Sequence, residues 1–321
     1  MRQPVNLAKD ERLNSNSLLT RLKLFLGLSR TPHAILDVAT PAMAALLYLG
    51  HFPPVPTILL GLLTAFAGYT AVYALNDIVD VNVDRQRLSV VEHEQGLFDV
   101  DEIFVRHPVA QGLLSYRQAL SWFMFWSAVA IVGAWLLNPY CGLLFLVSAS
   151  LEAVYCKLLK ITHLKIIPSA LVKASGGVAG ILAVDPAPSL GFLFVLALWL
   201  AAWEVGGQNI ANDIVDMDND SKVCARTTLT VKGLHESIFY LVVANGMAFF
   251  GSLAIFALAG NGVGWLYPLL AGVVSWFLIL EPTKSLYFNP GNQAAARLFN
   301  RASYIPVALL SITVLSCAFP L

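Results

Sequence analysis

The chain has 321 residues, 57% hydrophobic and only 12% charged, with a mean hydropathy of +0.69. A soluble domain carries about twice that charge, and the balance of 20 basic against 20 acidic residues leaves no basic domain for nucleic acid. Cys141, Cys156, Cys224 and Cys317 show neither metal-ligand nor redox spacing and read as small apolar side chains.

Residues 1–32 are polar and mixed in charge. They lack the apolar stretch of a cleaved signal peptide, so the first span directs insertion. Hydropathy and breakers then predict nine membrane spans, at 33–50, 55–77, 119–137, 139–156, 165–184, 189–213, 236–259, 264–280 and 300–319. The expected organisation is an N-terminal segment, 1–32, and a single transmembrane domain, 33–321, in an all-α membrane protein. Short connections follow the first, third, fifth and seventh spans. Long polar ones, 78–118, 157–164, 214–235 and 281–299, follow the second, fourth, sixth and eighth. The short connections and the C-terminal tail contain no Lys or Arg, whereas the N-terminal segment holds Arg2, Lys9, Arg12, Arg21, Lys23 and Arg30. Positive charge collects on the cytoplasmic side, which places the N-terminus and the long loops there in a multi-pass protein of the lipid bilayer.

One motif occurs twice. Asn76-Asp77-Ile78-Val79-Asp80 continues to Asp84, and Asn212-Asp213-Ile214-Val215-Asp216 continues to Asp220. Each copy ends a long span, the second and the sixth, so an even number of crossings separates them and both emerge on one face. On a helix, residues i, i+4 and i+8 share a side. Asn76, Asp80 and Asp84 therefore point one way, as do Asn212, Asp216 and Asp220. Carboxylates gathered at a bilayer edge repel one another unless a cation lies among them. Mg²⁺, a hard ion that takes oxygen ligands from one or two carboxylates plus phosphate, suits them. The plain alternative, two solvated helix ends, fits one copy better than two on one face.

These motifs resemble those of the UbiA family of intramembrane prenyltransferases, which carry N-x-x-x-D-x-x-x-D after the second helix and D-x-x-x-D after the sixth. Two flanking segments are also similar. Arg106-His107-Pro108-Val109-Ala110-Gln111-Gly112, followed by Leu114-Ser115, resembles R-P-x-x-S-G-x-x-S, and Arg226-Thr227-Thr228-Leu229 resembles the R/K-T-L segment. The resemblance runs from about residue 25 to 315. It implies a nine-helix bundle and Mg²⁺-dependent transfer from a prenyl diphosphate. Asp80, Asp84, Asp216 and Asp220 would be catalytic and bind the metal, with Asp77 and Asp213, off the main line, as secondary metal groups. Asn76 and Asn212 would support them. Arg106, Lys157, Lys160, Lys222, Arg226 and Tyr155 are the candidates for holding substrate. The sequence departs from the family pattern in three places. His107 splits Arg106 from Pro108, residues Gln86 to Val105 form an insertion, and no Lys stands four residues after Tyr155. The insertion, with one base, Arg87, among five acids, is expected to be a lid that does not bind diphosphate.

The acceptor is weakly encoded. Asp37, Glu152, Lys173, Glu204, Gln208 and Asn209 lie within spans, where an ionisable group costs about 2.5–3.5 kcal/mol and faces a cavity or a partner. Glu204 and Gln208 continue the line of Asn212 and so point to the cavity; Glu152 and Lys173 equally suit a buried pair. Gly176, Gly177 and Gly180 read as close helix packing. An aromatic acceptor, such as a quinone precursor held by Trp203, Glu204 and Gln208, is the expectation. The alternative is a sugar phosphate or glycerol phosphate, disfavoured because few basic residues remain beyond those serving the diphosphate. A CDP-alcohol phosphotransferase would need D-G-x-x-A-R between the aspartates, which neither copy has. A membrane transporter is a further, weaker reading.

Overall fold

The computed structural model describes residues 17–90 and 103–319. In chain order the helices are α1 (Leu18–Leu28), α2 (Thr31–Leu49), α3 (Val55–Val79), α4 (Val81–Val90), α5 (Tyr116–Leu137), α6 (Pro139–Leu158), α7 (His163–Leu182), α8 (Leu190–Val215), α9 (Met217–Lys222), α10 (Thr228–Lys232), α11 (Leu234–Leu258), α12 (Leu266–Phe288) and α13 (Asn292–Ala318). Among the described residues there is no strand, and nine helices, α2, α3, α5 to α8 and α11 to α13, are long and apolar enough to cross a bilayer. Leu59, Leu63, Leu136, Leu190 and Phe194 are exposed on their outer surface, as lipid requires.

Helices in lipid gain little from burying more apolar surface, so they associate through small residues that let backbones approach. Ala67, Ala71 and Ala74 form a fully buried stripe on α3. A Cβ at Gly180 on α7 would stand 2.2 Å from the Pro41 carbonyl oxygen of α2, and one at Gly176 2.4 Å from the Tyr69 hydroxyl of α3. The glycines of the fifth span therefore serve packing. α2 touches α3, α7 and α13, so the last helix closes the bundle against the first long one.

One connection differs from the hydropathy reading. The stretch 281–299 is no loop: α12 continues to Phe288 and α13 begins at Asn292. Glu281, Lys284 and Arg297 depress the hydropathy there, but backbone hydrogen bonding carries both helices beyond the apolar layer. Most of the insertion, residues 91–102, lies outside the described residues.

Candidate active site

Both motifs adopt the same local shape. Asp80, at φ −87° and ψ 1°, separates α3 from α4, and Asp216, at φ −90° and ψ 9°, separates α8 from α9. The turn interrupts neither hydrogen-bond ladder. The Asp80 N–H donates to Asn76 O at 2.9 Å and the Asp84 N–H to Asp80 O at 2.9 Å; the matching bonds to Asn212 and Asp216 measure 2.9 and 2.8 Å. The i+4 line thus survives the bend. Asn76, Asp80, Asp84, Asn212, Asp216 and Asp220 all line one cavity of about 190 Å³.

The second residue of each motif points elsewhere and anchors a flanking segment. His107 Nδ1 lies 2.8 Å from Asp77 Oδ1 and 2.9 Å from Asp84 Oδ2. The extra residue is what permits this: His107 takes a left-handed backbone, φ 52°, which turns its ring toward the first motif. Asp213 accepts from the Thr228 N–H at 3.1 Å and pairs with Lys165 at 3.4 Å. Asp213 also lines the cavity, whereas Asp77 does not. The two motifs are joined by Arg87, whose Nη2 donates to Asp220 Oδ1 at 2.5 Å while its Nη1 stands 4.0 Å from Asp84 Oδ1.

Negative charge is in excess at this edge. Burial pushes the Asp80 carboxyl up to about 6, reinforced by the neighbouring Asp84 charge. Burial also lifts Asp220 to about 6 although Arg87 opposes it. Burial acts on Asp84 in the same sense, but the hydrogen bond and charge of His107, with Arg87, outweigh it and hold that carboxyl below its ordinary value. His107 in turn is raised, its two carboxylate partners overcoming burial.

Of the other candidates, Arg106, Tyr155, Glu204 and Gln208 line the cavity; Lys157, Lys160, Lys222 and Arg226 are exposed and do not. Lys160 instead donates to Gln86 Oε1 at 2.5 Å, and the Arg226 backbone N–H donates to Leu159 O at 2.7 Å. The fold brings in basic groups that spacing did not single out for the diphosphate: Arg30, Arg87, Lys165 and Lys173. Arg87 therefore belongs to the cavity, although it falls in the stretch read as a lid without a role there. Lys165, ten residues after Tyr155, lines the cavity and holds its Nζ 4.9 Å from the centre of the Tyr155 ring.

Deeper in the bundle two sequence readings change. Glu152 does not pair with Lys173. It accepts from Asn76 Nδ2 at 2.8 Å, whereas Lys173 Nζ donates to Asp37 Oδ2 at 2.8 Å. Asp37 lies on α2 opposite Lys173, a proximity that only helix packing creates. Trp203 offers no slot for an aromatic ring, being fully buried in the core with its Nε1 donating to Ala302 O at 3.1 Å. A π-helical turn over Glu204–Ile210 widens α8, so that Glu204, Gln208 and Asn209 all face the cavity. Below it lies an apolar cavity of about 360 Å³ between α2, α3, α6 and α7; Tyr69, Val72 and Val172 border both spaces.

The family model described as the UbiA prenyltransferase family matches residues 38–304, a stretch that contains both motifs. The chain belongs to the UbiA prenyltransferase family. A digeranylgeranylglyceryl phosphate synthase of Thermococcus sibiricus is 25% identical over 257 residues, 79% of this chain and 85% of that protein. Among solved structures, a digeranylgeranylglyceryl phosphate synthase has a TM-score of 0.64 at 18% identity, covering 92% of this chain and 98% of that one. A UbiA homologue from Archaeoglobus fulgidus solved with DMAPP and Mg²⁺ has a TM-score of 0.67 at 16% identity, covering 92% and 99%. These similarities establish the UbiA fold for a multi-pass membrane prenyltransferase.

Proposed function

We propose that this UbiA-family protein transfers a prenyl group from a Mg²⁺-bound prenyl diphosphate to the hydroxyl of a glycerol-phosphate acceptor. The observation that carries the reading is the pair of Asn/Asp ladders lining one polar cavity directly above an apolar one. A prenyl diphosphate has the same two-part character. The apolar space suits the tail, and the carboxylate edge suits the metal and diphosphate.

The residues fit the metal. Asp80, Asp84, Asp216 and Asp220 are hard oxygen donors, and Asp80 and Asp220, raised chiefly by burial and further by neighbouring carboxylates, are groups whose charged form a divalent cation would stabilise. Bound Mg²⁺ neutralises charge on the departing diphosphate. Arg87 and Lys165, paired with Asp220 and Asp213, add fixed positive charge beside these carboxylates, and the apolar space would keep water from the allylic cation. The Mg²⁺- and DMAPP-bound Archaeoglobus homologue supports this assignment.

For the acceptor, two observations favour glycerol phosphate over the aromatic expected from sequence. The Thermococcus relative is named for a glyceryl phosphate carrying two geranylgeranyl groups. The cavity is also lined by Arg30 and Arg106, besides Arg87 and Lys165, so a second phosphate has cationic partners. The charge asymmetry of the loops supports a cytoplasmic N-terminus and site. The test is incubation of purified protein with Mg²⁺ and labelled geranylgeranyl diphosphate, offering geranylgeranylglyceryl phosphate or 4-hydroxybenzoate, with products identified by mass spectrometry. A prenylated glycerol phosphate is expected; product from the aromatic alone refutes the acceptor reading. Asp80→Asn and Asp216→Asn should each abolish transfer in excess Mg²⁺ while the protein elutes as a folded species. Turnover retained in both removes the metal assignment.

A further inference from the structure

The deep end of the polar cavity carries a charged cluster that donor binding leaves unexplained. Asp37 Oδ2 receives hydrogen bonds from Tyr73 Oη at 2.5 Å and Lys173 Nζ at 2.8 Å. Across from it Glu204 Oε1 accepts from Ser169 Oγ at 2.8 Å and Asn209 Nδ2 at 2.6 Å. Its other oxygen, Oε2, is buried and accepts no hydrogen bond, and Lys173 Nζ stands 3.8 Å away. Glu204 is 6% exposed and lines the cavity. Charged groups at this depth of a bilayer are costly and mark a functional site, and a buried carboxylate oxygen whose one partner is an ammonium 3.8 Å away has its hydrogen-bonding capacity open to a ligand that donates to it.

We infer that Asp37, Lys173 and Glu204 form the subsite for the acceptor's hydroxyl, with Glu204 Oε2 as the atom that receives the hydroxyl hydrogen. The inference rests on the glycerol-phosphate reading above and names the residues that would orient that acceptor. Two carboxylates against one ammonium make the floor a poor place for a phosphate and a good one for a hydrogen-bond donor. The acceptor's phosphate therefore lies toward Arg30 and Arg106, and its hydroxyl points down. The depth is suitable. Tyr73 precedes Asp80 by seven residues, about 10 Å along a helix. That leaves the diphosphate and the first prenyl carbon between the aspartate ladders and the floor. The hydroxyl oxygen attacks that carbon and a new C–O bond forms. The bond from the carbon to the diphosphate oxygen breaks, the diphosphate leaves with the electron pair, and the hydroxyl proton passes to Glu204 and on to water.

The test is a binding ratio on full-length protein in nanodiscs. Labelled geranylgeranylglyceryl phosphate is displaced by the unlabelled compound and by its analogue lacking the free hydroxyl. Wild type should bind the hydroxyl form at least about tenfold more tightly, the worth of a hydrogen bond to a charged group. Glu204→Gln, and the charge-neutral pair Asp37→Asn with Lys173→Met, should each reduce that ratio to about twofold or less. The ratio does not depend on how much of a preparation is folded. Wild-type discrimination preserved in both variants overturns the subsite and leaves the acceptor reading standing. Wild-type protein that binds neither compound yet prenylates 4-hydroxybenzoate overturns both.

Discussion

Replacing Arg87 by Met tests how the two motifs are held together without metal. The guanidinium donates to Asp220 at 2.5 Å and approaches Asp84 to 4.0 Å, with 27% of the side chain exposed. Two unit charges at 4 Å attract by about 4 kcal/mol at an effective dielectric of about 20. Desolvation and partial exposure remove part of this, leaving about 2 kcal/mol. Arg87→Met should therefore destabilise the Mg²⁺-free protein by about 2 kcal/mol, a fall of about 4 °C in Tm for a chain of this size. Mg²⁺ at the same carboxylates takes over the missing charge, so the Mg²⁺-induced rise in Tm should be larger in the variant than in wild type. Tryptophan fluorescence melting in detergent, with and without Mg²⁺, measures both quantities. A variant with wild-type Tm and a wild-type Mg²⁺ response would refute the idea that Arg87 and the metal share these carboxylates.

Four further outcomes follow from the geometry. Asp80 and Asp220, held up at about 6, must lose their protons to serve as the proposed Mg²⁺ ligands, so affinity should fall as the pH drops through 6 and binding at pH 5.5 should release protons; calorimetry in buffers of differing ionisation enthalpy reads this, and a pH-independent affinity contradicts it. Since both values lie above the ordinary 3.8, these two carboxyls weaken the metal-free fold as the pH rises from 3.8 through about 6. Gly180→Ala would press a methyl to 2.2 Å from the Pro41 carbonyl oxygen and should cost about 2 kcal/mol, read as a lower Tm. Gly61 lines the apolar cavity with nothing within 4 Å of its Cβ position; Gly61→Phe should shift donor preference toward shorter prenyl diphosphates, and an unchanged chain-length profile removes that cavity as the place of the tail.

How much of the site was legible beforehand depended on where its information resides. The aspartate ladders could be read because helical periodicity is local: i, i+4 and i+8 share a face whatever surrounds them, and the backbone bonds through Asp80 and Asp216 preserve that register. The bundle was equally legible, because bilayer thickness imposes a length of apolar sequence on each crossing. The error at 281–299 shows the limit of that rule, since a helix does not stop where its apolar face does. Basic residues were harder. Arg106 stood in a family-like segment and lines the cavity, but Lys157, Lys160, Lys222 and Arg226, equally plausible by sequence, are exposed and do not. Arg30, Arg87 and Lys165 reach the cavity through a left-handed residue before α2, a short helix after the first motif and the first turn of α7.

The sequence by itself determined the nine crossings, the all-helical class, the doubled motif on one face and the family. Each rests on local periodicity, segment length or a repeated string, and none needs to know which helices touch. Only the tertiary structure decided that Lys173 meets Asp37 rather than Glu152, that Trp203 belongs to the core, and that His107 reaches back to Asp77 and Asp84. Those pairings join residues distant along the chain. They follow from helix order, crossing and depth, and the energy of a buried charge depends on the partner that folding places within a few ångströms.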